Sequence, residues 1–510
     1  MRTAGLAMAL FAATVAVYSP SVAFDFVYDD TQVVALARAP KSFADVVRIF
    51  TERHFYNLPY YRPVTRSTLL MQKSLWGGRP APFHLFNVIL AGAAAVLAFL
   101  LLGAAPFGLP PARAACAAAL FALHPVASSC VYPVSSGRET LLPAVWILAA
   151  VYCWVTGRVV GAWVLFALAL FSKESAVVTP LLFALTGGGP WRRYLPAVPI
   201  LAVYFAIRAA LFGGSEFVYG ALTGPLFALA YAAQTFVLPF LDLHYEPPFS
   251  VWFSPLRQCA AALAFAGLIF LRPRQTPYLL AWFAIALLPT ANLLRQETPY
   301  DERHLLLASV ALCAGTALVV PPRFLIPVIL AAALVSWRRG TFFTDDLAFS
   351  RQWMKTDPNN ANAPFNLGYA LARRGRHAEA VEPYRLAVRL RPDYARAHNN
   401  LGDALLQASR AAEAEHPLRE ALRLDPTLAE AHYNLGLALA QSGRPSEAVG
   451  PLAEAVRLMP GSPEAHNNFA IVLAINGRTQ EAAAHWRRAL ELKPDYDDAR
   501  RNLTLVEQGK

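Results

Sequence analysis

Two adjacent carboxylates, Asp29 and Asp30, close the segment Phe24-Asp25-Phe26-Val27-Tyr28-Asp29-Asp30, directly behind an apolar run at 4–20. Acids beside a bilayer carry a desolvation cost, so their presence asks for a use. A carboxylate there can take a proton from a hydroxyl as general base, and its neighbour can orient it or raise its pKa. The pair also suits a helix cap, with Thr31 following. Adjacent carboxylates titrate together, so the base is Asp29 or Asp30 without distinction. Other polar groups at the ends of apolar runs are Tyr60-Tyr61-Arg62-Pro63, His84 and Asn87, His124-Pro125, Arg138-Glu139, Lys173-Glu174 and Asp301-Glu302-Arg303-His304. Arg as a bidentate fork and Lys as a point charge suit a lipid-linked phosphate. Lys173-Glu174 and Glu302-Arg303 read equally well as ion pairs that any buried charge needs. No P-loop, GxGxxG, HExxH or GxSxG occurs, so nucleotide-driven chemistry has no motif here.

The elements that must position these groups divide the chain in two. Across its 510 residues 56% are apolar and 15% charged, which excludes a disordered chain and an ordinary soluble enzyme. Residues 1–337 hold 13 acidic and 22 basic side chains, and residues 338–510 hold 21 and 23. The charge-poor part contains apolar runs of spanning length at 4–20, 83–103, 140–156, 194–212, 277–292 and 304–319, with shorter ones at 114–128, 160–171, 175–186, 257–271 and 323–337. The first run also has the look of a cleavable signal peptide, through Arg2 and Ser21-Val22-Ala23. With the N-terminus inside, Arg113, Arg158, Arg192, Arg193, Arg272, Arg274 and Arg323 fall on inner loops and all the acids fall outside. This gives about 11 spans and an external C-terminus. A full crossing at 222–241 would make 12 and put the C-terminus inside. The net positive charge of this part is read as topology and lipid contact, with no nucleic-acid partner. Residues 24–82 form a long outer segment in which 43–50 has the apolar spacing of an interfacial helix. Cys116, Cys130, Cys153, Cys259 and Cys313 form no CxxC pair, so neither a disulfide framework nor a zinc site is indicated.

From residue 361 a period of 34 is plain. Leu367, Leu401, Leu435, Phe469 and Leu503 keep it, as do Ala380, Ala414, Ala448 and Ala482, and Pro392, Pro426, Pro460 and Pro494. Small residues at Gly368, Gly402, Gly436 and Ala470 let paired helices approach, and each Pro ends a second helix. The pattern resembles tetratricopeptide repeats, four of them at 361–394, 395–428, 429–462 and 463–496 with a capping helix to 510. Residues 338–360 form a connector with a partial repeat. A second ladder, Asn366, Asn400, Asn434, Asn468 and Asn502, places a poor helix former on every first helix. Its amides suit the backbone of an extended chain whatever its sequence, or bonds between neighbouring repeats. The ladder His398, His432 and His466 reads as packing.

Taken in order, Tyr28-Asp29-Asp30, Tyr61-Arg62-Pro63-Val64-Thr65, Phe83-His84-Leu85-Phe86-Asn87, Leu120-Phe121-Ala122-Leu123-His124-Pro125-Val126, Ser172-Lys173-Glu174 and Asp301-Glu302-Arg303-His304-Leu305 resemble the transmembrane and tetratricopeptide-repeat-containing O-mannosyltransferases and their bacterial relatives. These belong to the GT-C glycosyltransferases. The resemblance implies an all-α chain: a polytopic bundle over 1–337, then an α-solenoid over 361–510. It implies inverting transfer of a sugar, typically mannose, from a polyprenyl-phosphate carrier to Ser or Thr of an extended or unfolded protein, on the periplasmic face of a bacterial inner membrane or the lumenal face of the endoplasmic reticulum. The base role falls on Asp29 or Asp30. Phosphate and donor contacts fall on Arg138, Lys173, Glu174, Glu302, Arg303, His124 and Arg62, with no cofactor and no obligatory metal. His304 departs from the pattern, which commonly has Tyr after Glu-Arg. Two other readings stand beside this one: a transferase or ligase acting on a glycolipid or glycan, and a membrane-anchored repeat scaffold.

Overall fold

The computed structural model describes residues 2–27, 30, 33–34, 39–51, 61–212, 274–288 and 305–508. Asp29, Glu302 and Arg303, and the apolar stretches at 222–241 and 257–271, lie outside them. The chain divides into two compact units, Met1–Phe349 and Ser350–Lys510. Both are helical.

The first unit contains α1 Arg2–Tyr18, α2 Phe43–Thr51, α3 Pro63–Trp76, α4 Pro80–Gly103, α5 Pro111–Leu123, α6 Pro125–Val131, α7 Ser135–Val155, α8 Val159–Ser172, α9 Thr179–Thr186, α10 Ala197–Phe212, α11 Thr276–Leu287, α12 Leu306–Val319 and α13 Pro322–Gly340. Pro opens α3, α4, α5 and α6 at the first turn, where its missing N–H costs nothing. Helix α2 starts with a reciprocal cap: Asp45 N–H donates to Ser42 Oγ at 3.2 Å, and Ser42 N–H donates to Asp45 Oδ2 at 3.0 Å. It buries Ile49 and leaves Phe43, Val47 and Phe50 exposed on one stripe.

Among the described residues, five helical stretches are long and apolar enough to cross a bilayer: Thr3–Ala23, Pro80–Gly103, Ser135–Val155, Trp191–Leu211 and Pro322–Phe343. Counting the bent pair α5–α6 as one span makes six. This is fewer than the eleven expected. One apolar stretch that hydropathy joins is cut by backbone chemistry. The run at 114–128 bends by 55° at His124-Pro125, since Pro removes an N–H and clashes with the preceding turn. Stretches 160–171 and 175–186, already separate in the sequence, form helices too short to cross alone. Of the runs at 277–292 and 304–319, the described residues hold the 12-residue helix α11 and the 14-residue α12, and 289–292 and 304 lie outside them. Phe324, Ile326, Leu330 and Leu334 on α13 are exposed, a surface suited to hydrocarbon.

The α5–α6 break would strand carbonyls in an apolar interior. Three carbonyls around it take side-chain donors. Tyr18 OH donates to the Ala122 carbonyl at 2.9 Å, Ser336 Oγ to that of Leu123 at 2.8 Å, and an Arg339 Nη to that of Pro125 at 3.0 Å. The first and the last apolar helix of the unit thus brace one break.

The second unit repeats one hairpin. Its helix pairs are Asn362–Ala372 with His377–Leu390, Ala395–Gln407 with Ala411–Leu424, Ala429–Gln441 with Pro445–Leu458, and Pro463–Ile475 with Thr479–Leu492; Asp497–Glu507 follows. Each pair occupies about one 34-residue period. The small-residue ladder has a direct cause: a Cβ on Gly402 or Gly436 would collide with the Leu418 or Leu452 side chain respectively.

Candidate functional site

Asp30 is 1% exposed and accepts four hydrogen bonds. Its Oδ1 takes Ser135 N–H at 2.6 Å and Ser135 Oγ at 2.7 Å; its Oδ2 takes Val134 N–H at 2.9 Å and Val27 N–H at 3.4 Å. Two of those donors are orphan amides at the start of α7, so Asp30 caps that helix from a distance of 104 residues in sequence. Four donors on its two oxygens fix this carboxylate in place at the start of α7. Of the adjacent acids, Asp30 is therefore committed to structure.

The α7 start is also held from behind. The Asn87 amide donates to the carbonyls of Pro133 at 3.0 Å and Val134 at 3.1 Å, where the chain turns out of α6. Its Oδ1 accepts from Arg138 Nε at 2.7 Å. Arg138 is fully buried and donates further to Gln72 Oε1 at 2.9 Å, the Phe83 carbonyl at 3.2 Å and Thr68 Oγ1 at 3.3 Å, with its guanidinium 4.3 Å from the centre of the Phe86 ring. Each of these partners is neutral. Gly137 permits this packing, because a Cβ there would collide with the Cys130 carbonyl oxygen.

A second cluster lies one residue along α7. The Arg62 guanidinium forks onto Glu174, Nε to Oε2 at 3.0 Å and Nη2 to Oε1 at 2.5 Å, and its Nη1 pairs with Glu139. Arg62 and Glu174 are buried, and Glu139 is nearly so. Lys173, also buried, ends α8 next to Glu174. This cluster ties the start of α3 to α7 and to the turn after α8. His124 stands apart at the α5–α6 break. Its Nδ1 accepts from Val126 N–H at 3.2 Å, capping α6.

Among the described residues, hydrogen bonds and ion pairs group the sequence-named side chains as follows. Asp30 and Arg138 share one cluster with His84 and Asn87; Arg62, Glu174 and Lys173 share another; His124 is elsewhere. Arg62 and Arg138 spend most of their donors inside the protein. Asn87, named with His84 among the polar groups at the ends of apolar runs, supplies the bonds that link Arg138 to the start of α7.

In the repeats, the Asn ladder is engaged in bonds between and within units. Asn434 Nδ2 donates to Asn399 Oδ1 at 3.0 Å, and Asn399 Nδ2 to Asn400 Oδ1 at 3.3 Å. Asn468 Nδ2 donates to the Tyr433 hydroxyl at 2.6 Å, and Trp486 Nε1 to Asn467 Oδ1 at 3.1 Å. Asn366 and Asn502 hold the equivalent first-helix positions and are partly exposed. The histidine ladder clamps the hairpin joints: His398, His432 and His466 place Nε2 3.0, 3.0 and 3.3 Å from the carbonyls of Pro392, Pro426 and Pro460. A further 34-residue ladder went unread in the sequence. Arg376–Glu379, Arg410–Glu413, Arg444–Glu447 and Arg478–Glu481 pair at the start of every second helix.

The fourth repeat adds a feature of its own. His466 Nδ1 and His485 Nδ1 lie 2.9 Å apart. A carbonyl only accepts, so His466 Nε2 carries the proton toward Pro460; its Nδ1 is then bare and His485 Nδ1–H donates to it. Burial lowers both pKa values below the usual imidazole range, and each is opposed by a neighbour: the Pro460 carbonyl raises His466 and Glu481 raises His485. Arg488 and the opposite histidine push the same way as burial. Above about pH 6.5 both rings are neutral folded or unfolded. Below it the unfolded chain binds protons that the folded pair resists, so stability falls with pH. Amide exchange of residues 463–492 in the full chain, corrected for intrinsic rate, is expected to speed up between about pH 7.5 and about pH 5, the range that brackets imidazole titration. His485→Gln should flatten that dependence.

Comparison with known proteins finds the repeats. The TPR repeat family matches residues 368–409, and the Tetratricopeptide repeat family matches residues 399–463. Among solved structures, MamA residues 41 to the end from Desulfovibrio magneticus RS-1 is 25% identical with a TM-score of 0.28, covering 30% of this chain and 85% of that one. YrrB, described as a TPR protein with an unusual peptide-binding site, is 24% identical at TM-score 0.29, covering 34% and 90%. TTC0263, a thermophilic TPR protein in Thermus thermophilus, is 24% identical at TM-score 0.27, covering 34% and 92%. No curated protein matches the chain.

Proposed function

We propose that this protein is a membrane glycosyltransferase that moves a sugar, mannose in the first instance, from a polyprenyl-phosphate carrier to Ser or Thr hydroxyls of protein chains. The reading rests on one observation above the others: the acidic motif behind the first apolar helix is built into a buried polar network, with Asp30 clamped onto α7 beside Arg138 and Asn87. An anchor would have no use for such a network. Because Asp30 is fixed at the start of α7, Asp29 takes the role of base: it accepts the acceptor hydroxyl's proton as the oxygen attacks the sugar carbon from the face opposite the phosphate. The phosphate leaves with inversion, met by Lys173 and Arg303. The hydrocarbon tail of the carrier lies among the apolar helices. The repeats hold the acceptor chain, a role that tetratricopeptide arrays serve for protein partners generally.

The test is transfer of labelled sugar from polyprenyl-phosphate mannose to a Ser- and Thr-rich unfolded protein by the purified full chain in lipid. Transfer that disappears in Asp29→Asn supports the reading. Absence of transfer from any of several polyprenyl-phosphate sugars, by a folded protein, removes it. The repeats would then stand as a membrane-anchored scaffold.

A further inference from the structure

His84 sits in the second turn of α4 with its side chain fully buried. Its Nε2 lies 3.2 Å from the carbonyl oxygen of Asp25. The carbonyl has no proton to give, so Nε2–H is the donor. Nδ1 is buried and has no hydrogen-bond partner. A proton on Nδ1 would be a buried donor without an acceptor, which is costly, so the ring is the neutral Nε2–H tautomer with Nδ1 bare. The whole polar output of this imidazole is thus one bond to the backbone just ahead of the acidic motif.

That bond is one of a set. Asp25 N–H donates to the Thr344 carbonyl at 2.9 Å, and Phe24 N–H to that of Ser21 at 2.9 Å. Asp25 Oδ1 takes Phe26 N–H at 2.8 Å. Phe24 meets His84 edge to face with ring centres 6.2 Å apart, and Phe26 meets Phe83 in the same way at 5.5 Å. The segment is therefore held at Asp25 by His84 and Thr344, and again at Asp30 by the start of α7. Asp29 lies in the short stretch between these two fixed points.

We infer that His84 is a positioning residue for the acidic motif, acting through Nε2–H on the Asp25 carbonyl while its bare Nδ1 does no work. The inference uses the transfer reading only for its activity arm. A glutamine amide nitrogen reaches the place of Nε2, whereas an asparagine amide reaches only that of Nδ1. His84→Gln should therefore keep kcat near the native value. His84→Asn should lower kcat by about 100-fold, the scale of a small misplacement of a reacting group, with the donor KM unchanged. Amide exchange of residues 24–27 in the full chain in lipid should stay slow in His84→Gln and become fast in His84→Asn. The inference is overturned if residues 24–27 remain protected in His84→Asn, or if both variants lose protection alike. If the native protein transfers no sugar but the exchange contrast holds, the positioning stands and the transfer reading is what failed.

Discussion

Asp29→Asn is expected to abolish sugar transfer and leave the protein as stable as the native chain, while Asp30→Asn is expected to damage the fold first. The contrast follows from hydrogen-bond valence. Removing a general base costs about 10²–10⁴ in rate and needs no change in packing. At position 30 the four donors converge from Val27, Val134 and Ser135 on two oxygens. An asparagine keeps one oxygen and points an amide group at N–H donors, so buried donors lose their acceptor. Hydrogen bonds to a charged group contribute about 1.5–3 kcal/mol each, and an unsatisfied buried donor costs about 1–3 kcal/mol. Asp30→Asn should lower the thermal transition in detergent by several degrees and reduce the yield of membrane-inserted protein. Rate and melting curve on the same two preparations check the assignment. Transfer that survives Asp29→Asn, with stability untouched in Asp30→Asn, would reverse it.

Removing Arg62 should be the most destabilising single change in the first unit. Glu174 and Glu139 both rest on its guanidinium in a nearly dry setting. Arg62→Ala leaves two carboxylates there without their shared cation, and breaking a buried pair from one side costs about 3–5 kcal/mol. Arg62→Lys should recover only part, since an ammonium cannot fork onto Glu174 and reach Glu139 together. Adding Glu139→Gln and Glu174→Gln to Arg62→Ala should restore part of the lost yield, because the stranded charge is then gone. A triple variant no better than Arg62→Ala would mean that packing of the Arg62 stem, and not charge, holds the cluster.

The repeat unit was legible because its information is local. One hairpin recurs at a fixed spacing, so Leu401, Gly402, Ala414 and Pro426 each announce a position, and the observed helices fall where the period put them. The span count was not legible in the same way. Hydropathy averages over a window and passes smoothly through His124-Pro125, where the backbone in fact breaks. The Asn ladder shows a third case. Its periodicity was visible, but not its partners: Asn434 reaches Asn399, a residue outside the ladder. Likewise Asp29 and Asp30 are indistinguishable as letters. That Val134 and Ser135 return to Asp30, a contact across 104 residues, is something no local pattern encodes.

The braces at the α5–α6 break set an order on biosynthesis. A chain entering the membrane makes Leu123 and Pro125 213 and 214 residues before it makes Ser336 and Arg339, their donors. The Pro125 carbonyl has Ser128 Oγ at 2.6 Å from the start, but until α13 emerges that of Leu123 must be served by water or by the insertion machinery, so the nascent bundle stays open at its centre. Truncation just ahead of Ser336 removes residues 336–349 from the first unit, and with them the Thr344 carbonyl that holds Asp25. It also leaves the middle of the bundle unfinished, and such a fragment should be recognised by membrane quality control as an immature protein.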